Sequence, residues 1–287
     1  MEHNTKDTWE TLKGKKRIVI KIGSSSLTHP ENGNLNLHKA EKLVRVLCEL
    51  KNRGKDVVLV SSGAVAVGRQ FMKIGERPRE LSQKQALAAI GQARLMMTYE
   101  RLFSEYSQTT AQVLLTKYTM LQEISRKNAR NTFEKLFEMG VIPVVNENDT
   151  VATHEFEYEF GDNDRLSAIV AALIQADLLI LLSDIDGLYT DDPNQNPEAR
   201  LIPIVDTISE EILSMGKETG KSNVGTGGMS TKLLAARMAA DAGVDMVIAN
   251  GRDVHIIYGI LNGEEKGTLF LAHKNQDFDL LTYLTQY

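Results

Sequence analysis

Along the chain, short unbroken apolar runs alternate with longer stretches whose apolar residues recur every three or four positions. The runs predict strands: "RIVIKIG" from Arg17, "DVVLVSSGA" from Asp56, "AQVLLT" from Ala111, "VIPVVNEND" from Val141, "DLLILLSD" from Asp177 and "DMVIAN" from Asp245. Among the periodic stretches, "NLHKAEKLVRVLCELKNRG" predicts a helix capped by Asn36 and stopped by Gly54. "SQKQALAAIGQARLMMTYERLF" opens with Ser82 and Gln85 at capping-box spacing. "RKNARNTFEKLFEMG", "RLSAIVAALIQA" and "TKLLAARMAADAG" read as further helices, and "SEEILSM" as a short one. Pro143 has no N–H for a ladder and argues that its strand lies at an edge or in an irregular ladder. Residues 1–16 are largely polar apart from Trp9 and Leu12 and read as a partly helical N-terminal extension. With no repeat, low-complexity segment or evident linker, residues 17–287 read as a single domain.

Strands alternating with helices predict an α/β fold with a mostly parallel sheet covered on both faces. In such sheets ligands bind beyond the carboxyl ends of the strands, so unusual residues there matter most. Composition narrows the field. The 287 residues are 42% hydrophobic and 25% charged, with a net charge of −5 and scattered basic residues. That excludes nucleic acid or an anionic membrane as the main partner. The single cysteine, Cys48, excludes an intrachain disulfide and a thiolate cluster, and reads as packing within a helix. The six histidines show no metal-ligand spacing, and no metal site is expected from protein groups alone. The absence of a signal-peptide pattern and of a long apolar run makes a cytoplasmic location the expectation.

Several strand ends carry residues that do not suit a plain core. Lys21 lies inside "IVIKIG", where a buried lysine needs an anion, and "GSSS" follows at once with small groups that can donate to phosphate. "SSGA", from Ser61, is explained by a tight turn if taken alone. "NENDT" gathers Asn146, Glu147, Asn148 and Asp149, although Asn and Asp also serve turns. In "GDND", Asp162 or Asn163 can cap the following helix, which leaves Asp164 over. "SDIDG" brings Ser183 and Asp184 to another strand end.

The most glycine-rich stretch, "GKETGKSNVGTGGMSTK" from Gly216, raises the question of a phosphate loop. It is no Walker A loop: three residues, not four, separate Gly216 from Gly220, and a helix rather than a strand precedes it. The dinucleotide fingerprint fails as well, because Ser230 stands where the third glycine belongs. Lys232 nonetheless falls in the first turn of a helix, where the dipole disfavours a cation unless an anion is bound. The plain alternative is a solvated surface lysine, and on that basis Lys232→Ala is expected to leave stability nearly unchanged.

Taken in order, "VIKIGSSSLT", "VSSGAVAVGR", "KQALAAIGQARLM", "IPVVNENDTVAT", "FGDNDRLSA", "LLSDIDGLYTDDP" and "GTGGMSTKLLAA" resemble the amino-acid kinase family, over roughly residues 17–272. "NENDTVAT" with "GDND" resembles the members that phosphorylate glutamate. The resemblance implies a three-layer α/β sandwich with a mostly parallel central sheet. It implies transfer of phosphate from ATP, with Mg²⁺, to the side-chain carboxylate of L-glutamate, the first step of proline synthesis. By the same resemblance Lys21 and Lys232 stabilise the transferring phosphoryl oxygens, and Asp164 holds those lysines. Ser62, Asp149 and Asn163 match substrate positions, with Asn146 and Asp162 beside them. Ser183 and Asp184 match an ATP-binding pair, and Thr226, Gly227, Gly228, Met229, Ser230, Thr231 and Lys232 match the loop around the ATP phosphates. The resemblance further implies a homo-oligomer, a tetramer, with L-proline as feedback inhibitor and hand-over of the product to a γ-glutamyl phosphate reductase. Many relatives carry a further C-terminal domain of a type found in RNA-modifying enzymes, and the chain stops too soon after "GTLFLAH" to include it. The alternatives are a sister kinase acting on acetylglutamate, carbamate or a nucleoside monophosphate, and a non-catalytic sensor on the same fold.

Overall fold

The computed structural model describes residues 5–29, 31–76, 78–151, 163–193, 195–218 and 228–286. The chain forms two compact units, each discontinuous in sequence: Ile22–Asn163 with Leu281–Tyr287, and Met1–Lys21 with Asp164–Leu280.

The unit holding Ile22–Asn163 contains β2 (Asp56–Ser61), β3 (Thr110–Leu115) and β4 (Ile142–Glu147), with β4 hydrogen-bonded between the other two and parallel to both. Pro143 is therefore in an internal strand, which removes the edge and leaves the irregular ladder of the two alternatives expected for it. The register explains how it is tolerated. The paired residues of β2 and β4 begin at Leu59 and Val144, one residue beyond the proline, so its missing N–H falls where that ladder starts. Helix α3 (Leu37–Asn52) is capped as predicted, with Asn36 Oδ1 accepting from the Lys39 amide at 2.9 Å. It stops where Gly54 adopts φ +78°. Cys48 is buried on it, and burial pushes its thiol up to about 11, in keeping with a packing role.

Helix α5 (Leu81–Ser104) begins one residue before Ser82, with Glu80 at the cap and no side-chain bond there, so the expected capping box does not form. Its preceding partner α4 (Ala64–Phe71), which the apolar pattern did not announce, starts from Gly63 at φ +111°. That left-handed conformation needs a glycine and accounts for the tight turn after "SS". The two helices approach so closely that a Cβ on Gly91 would lie 1.7 Å from the Ala64 carbonyl oxygen, and one on Gly68 would lie 2.0 Å from that of Leu87. The short α2 (Ser24–Leu27) with α6 (Lys117–Leu121) and α7 (Glu123–Glu138) complete the helices of this unit before β4.

The other unit contains β1 (Arg17–Ile22, its last residue excepted), β5 (Leu178–Ser183), β6 (Ile204–Val205), β7 (Asp245–Asn250) and β8 (Thr268–Phe270), in the order β1-β5-β7-β8-β6. The β5–β7 and β6–β8 pairs are parallel and β7–β8 is antiparallel. Every residue of β5 is buried, as a strand covered on both faces requires. Helices α8 (Asn163–Leu173), α9 (Glu210–Glu218), α10 (Met229–Asp241) and α11 (Ile256–Leu261) belong with these strands. In the N-terminal segment, helix α1 (Thr5–Glu10) and a single 3₁₀ turn (Thr11–Gly14) bury Trp9 and Leu12 completely. The backbone amides of Lys16 and Arg17 both donate to Asp177 Oδ2 at 2.8 Å, fixing the entry into β1. The strands are thus mostly parallel and interleaved with helices, the α/β class predicted.

Because the α4–α5 contact leaves no room for a methyl group, Gly91→Ala should destabilise the protein by about 1–3 kcal/mol, the range for overpacking a rigid contact. Thermal melting checks this: a variant with an unshifted Tm would contradict the close approach.

Candidate active site

The second unit brings three charged side chains together. Lys21, near the end of β1, and Lys232, in the first turn of α10, both pair with Asp164, the second residue of α8. Lys232 Nζ lies 3.0 Å from Asp164 Oδ2, and Lys21 Nζ takes Oδ1. All three are buried, at 6% exposure for Lys21, 5% for Lys232 and 0% for Asp164. Burial alone would raise the Asp164 pKa. The charges of Lys21 and then Lys232, with their hydrogen bonds, outweigh it and hold the carboxyl below the ordinary carboxylate value. Ionised Asp164 with two ammonium groups leaves one net positive charge inside the protein.

This corrects the plain reading of Lys232. It is no surface lysine, and its removal leaves a buried carboxylate with one cation fewer. The expectation of an unchanged stability on Lys232→Ala is withdrawn for that reason.

The surroundings suit an anion. Gly228 caps α10 without any side-chain bond, so the first-turn amides have no side-chain acceptor at the cap. Thr231 Oγ1 donates to the Gly228 carbonyl at 2.8 Å, and Met229 and Ser230 are half-buried at the start of the helix. Helix α9 packs close by: a Cβ on Gly216 would lie 3.0 Å from the Ser230 amide nitrogen. Thr226 and Gly227 lie outside the described residues, as does Asp162.

At the end of β5, Ser183 is buried and donates from Oγ to Asp184 Oδ1 at 3.0 Å, while Asp184 is exposed. The Gly251 amide donates to the Ser183 carbonyl at 2.7 Å, which ties this end to β7. Two further residues, without a sequence expectation, brace the same loop: Asn250 Nδ2 donates to Asp186 Oδ1 at 2.7 Å, and the Tyr189 hydroxyl donates to Asp186 Oδ2 at 3.1 Å.

The first unit carries a second polar cluster, built without formal charge. Asn163 Nδ2 lies 2.6 Å from Ser62 Oγ, 3.2 Å from the Ser61 carbonyl oxygen and 3.0 Å from Asn146 Oδ1. Asn146, buried at the end of β4, donates in turn from Nδ2 to Gln92 Oε1 on α5 at 2.9 Å. Ser61 and the buried Tyr99 share a hydrogen bond of 2.8 Å, and burial, partly offset by that bond, raises the Tyr99 pKa. Three of the five expected substrate positions thus meet. Asp149 is half-buried just beyond β4. Gln92 and Tyr99 were missed. Gln92 stands in "KQALAAIGQARLM", where a lone polar residue in a helix gives no signal of its own.

The sequence profile of the amino acid kinase family matches residues 16–250, and the chain belongs to that family. Two curated relatives are more particular. A glutamate 5-kinase of Clostridium perfringens is 49% identical over 269 residues, covering 93% of this chain and 99% of the relative. One of Carboxydothermus hydrogenoformans is 52% identical and covers 94% of this chain and 71% of the relative. Among solved structures, a UMP kinase from Ureaplasma parvum (TM-score 0.61, 14% identity) covers 90% of this chain and 99% of its own. An isopentenyl phosphate kinase product complex from T. acidophilum (TM-score 0.60, 18% identity) covers 89% and 100%. At such identities these two establish the shared fold alone.

The Asp164 triad makes stability pH-dependent with a definite sign. A carboxyl whose pKa is lowered on folding contributes stability above its unfolded value of about 3.9, and that contribution is lost as pH falls through the folded value. Asp164→Asn should be less stable than the native chain at neutral pH, by about 3–5 kcal/mol for breaking a buried charge group. The gap should narrow below about pH 4. Denaturant unfolding of both proteins across pH tests it: a gap independent of pH would contradict an ionised Asp164.

Proposed function

We propose that this chain transfers the γ-phosphoryl group of ATP to the side-chain carboxylate of L-glutamate, yielding ADP and γ-glutamyl phosphate, the first step of proline synthesis. The observation that carries the reading is the buried Lys21–Asp164–Lys232 group in a chain about half identical, over nearly its whole length, to curated glutamate 5-kinases.

The chemistry follows from charge. The glutamate carboxylate is ionised at neutral pH and attacks phosphorus without a general base. Its new bond to phosphorus forms as the bond between the γ-phosphorus and the β–γ bridging oxygen breaks, and the electron pair leaves on ADP. The barrier lies in bringing an anion to a polyanion, so positioning and charge neutralisation carry the rate. Lys21 and Lys232, each with three N–H donors, share one carboxylate and serve the phosphoryl oxygens as hydrogen-bond donors. Asp164 pairs with both ammonium groups and holds them in place. The α10 amides add the partial positive charge of a helix N-terminus. Ser183 and Asp184 serve the nucleotide, together with the segment 226–232. Ser62, Asn146, Asp149, Asp162 and Asn163 serve the amino acid.

Mg²⁺ has a limited set of protein donors. Among the described residues, no group of three or more His, Cys, Asp or Glu side chains is placed to hold a metal ion, and Asp164 is engaged by both lysines. The ion would ride on the ATP phosphates, as Mg²⁺ commonly does, and would neutralise triphosphate charge when bound. The family resemblance also supports a homo-tetramer, L-proline as a competing ligand, hand-over of the labile acyl phosphate to a reductase, and a cytoplasmic location. No helix among the described residues is long and apolar enough to cross a membrane.

Incubation with ATP, Mg²⁺, L-glutamate and hydroxylamine should trap the acyl phosphate as a hydroxamate. A hydroxamate formed only with acetylglutamate would move the assignment to a sister kinase, and no turnover with any acceptor would favour a sensor. Lys232→Ala should lower kcat by about 10²–10³, the usual loss for one preorganised donor. It should also lower the Tm, because the lysine is buried and paired. A near-normal kcat at saturating substrates would overturn its role.

A further inference from the structure

Gln92 ends a chain of three side-chain amides whose polarity is fixed from one side. At the other end Asn163 faces the backbone carbonyl of Ser61, which can only accept a hydrogen bond, so Nδ2 must be the edge turned that way. Asn163 Nδ2 also meets Asn146 Oδ1, which leaves Asn146 Nδ2 as the donor to Gln92 Oε1. The orientation of each amide dictates the next. Two groups are left over. Among the described residues, no donor meets Asn163 Oδ1 and no acceptor meets Gln92 Nε2. The first is a bare acceptor and the second carries two N–H donors. Neither belongs to the fully enclosed polar atoms left without a partner. Asn146 and Gln92 are nonetheless only 4% and 9% exposed, so the relay is shielded enough for its bonds to hold one arrangement.

An α-amino acid offers the complementary pair on a single carbon: an ammonium that only donates and a carboxylate that only accepts. We propose that Gln92 is a substrate-binding residue, its Nε2 donating to the α-carboxylate of the acceptor while Asn163 Oδ1 receives the α-ammonium. This rests on the glutamate-kinase reading. It leaves the γ-carboxylate free to react, and it makes the relay a device that reads the α-carbon substituents rather than the side chain. Gln92 then acts on acceptor binding and not on the nucleotide.

Steady-state kinetics with Gln92→Glu tests the proposal. The new side chain keeps an acceptor for Asn146 Nδ2 but, ionised, offers the substrate a negative charge in place of donors. KM for L-glutamate should rise about 10- to 100-fold, the range for a lost hydrogen bond to a charged group, with KM for ATP within about twofold. The penalty should shrink as pH is lowered and the introduced carboxyl protonates. L-Isoglutamine, whose α-carboxamide can donate to that carboxylate, should be penalised less than glutamate. An unchanged KM for glutamate, an equal rise in KM for ATP, or an equal penalty on both acceptors would overturn the assignment. Gln92→Met, close in shape and without donors, reads the same KM shift should the charged variant fail to fold. Absence of hydroxamate from the native enzyme with glutamate would instead sink the glutamate-kinase reading itself.

Discussion

One carboxylate holding two ammonium groups is the constraint on which the rest depends. Lys21 and Lys232 are buried to 5–6% exposure, and each finds its counter-ion in Asp164. Asp164 in turn could not stay ionised with no exposure at all unless cations surrounded it. The group is therefore mutually conditional, and it draws on the end of a strand and the first turns of two helices. Its net positive charge is what makes it chemically useful. A fully neutralised pair would have little left for an incoming phosphate, whereas two unopposed lysines would repel each other.

The other cluster works on the opposite principle. It contains amides and hydroxyls, so its selectivity comes from the direction of hydrogen bonds rather than from net charge. The two clusters begin on consecutive residues, Asn163 and Asp164, at the start of α8. Successive residues on a helix project about 100° apart, so neighbours in sequence serve different surroundings. That geometry explains why "GDND" carries so much of the chemistry in so few residues, and why an insertion there would misdirect both groups.

The strands and most long helices were legible because their hydrophobic periods are strong. The short helices α4 and α6 were not, since turn-like small residues or a few polar ones mask their pattern. Pro143 left two alternatives open because edge position is only one way to accommodate a missing N–H, and the β2–β4 register supplies the other. Ser82 misled because capping-box spacing describes a possibility that the chain can bypass by starting its helix one residue early. At the site, Lys21 and Lys232 stood out as charges in the wrong environment, and that one aspartate serves both was implied by the family resemblance, not by the residues taken singly. The separations of 143 residues from Lys21 to Asp164 and 68 from Asp164 to Lys232 are closed only by the fold. Gln92 was invisible because a polar residue on a helix has no signal until its neighbour across space is known.

The N-terminal helix has a consequence for how unfolding is observed. Trp9 is the chain's only tryptophan, and it is wholly buried in the unit that holds Asp164–Leu280. Intrinsic tryptophan fluorescence therefore reports on that unit and is blind to the other, whose melting must be followed through backbone dichroism or its tyrosines. Coincidence of the two signals is the measure of whether the halves unfold as one cooperative body. Any tag or truncation that disturbs residues 5–14 would alter the fluorescent probe and the packing of its unit together.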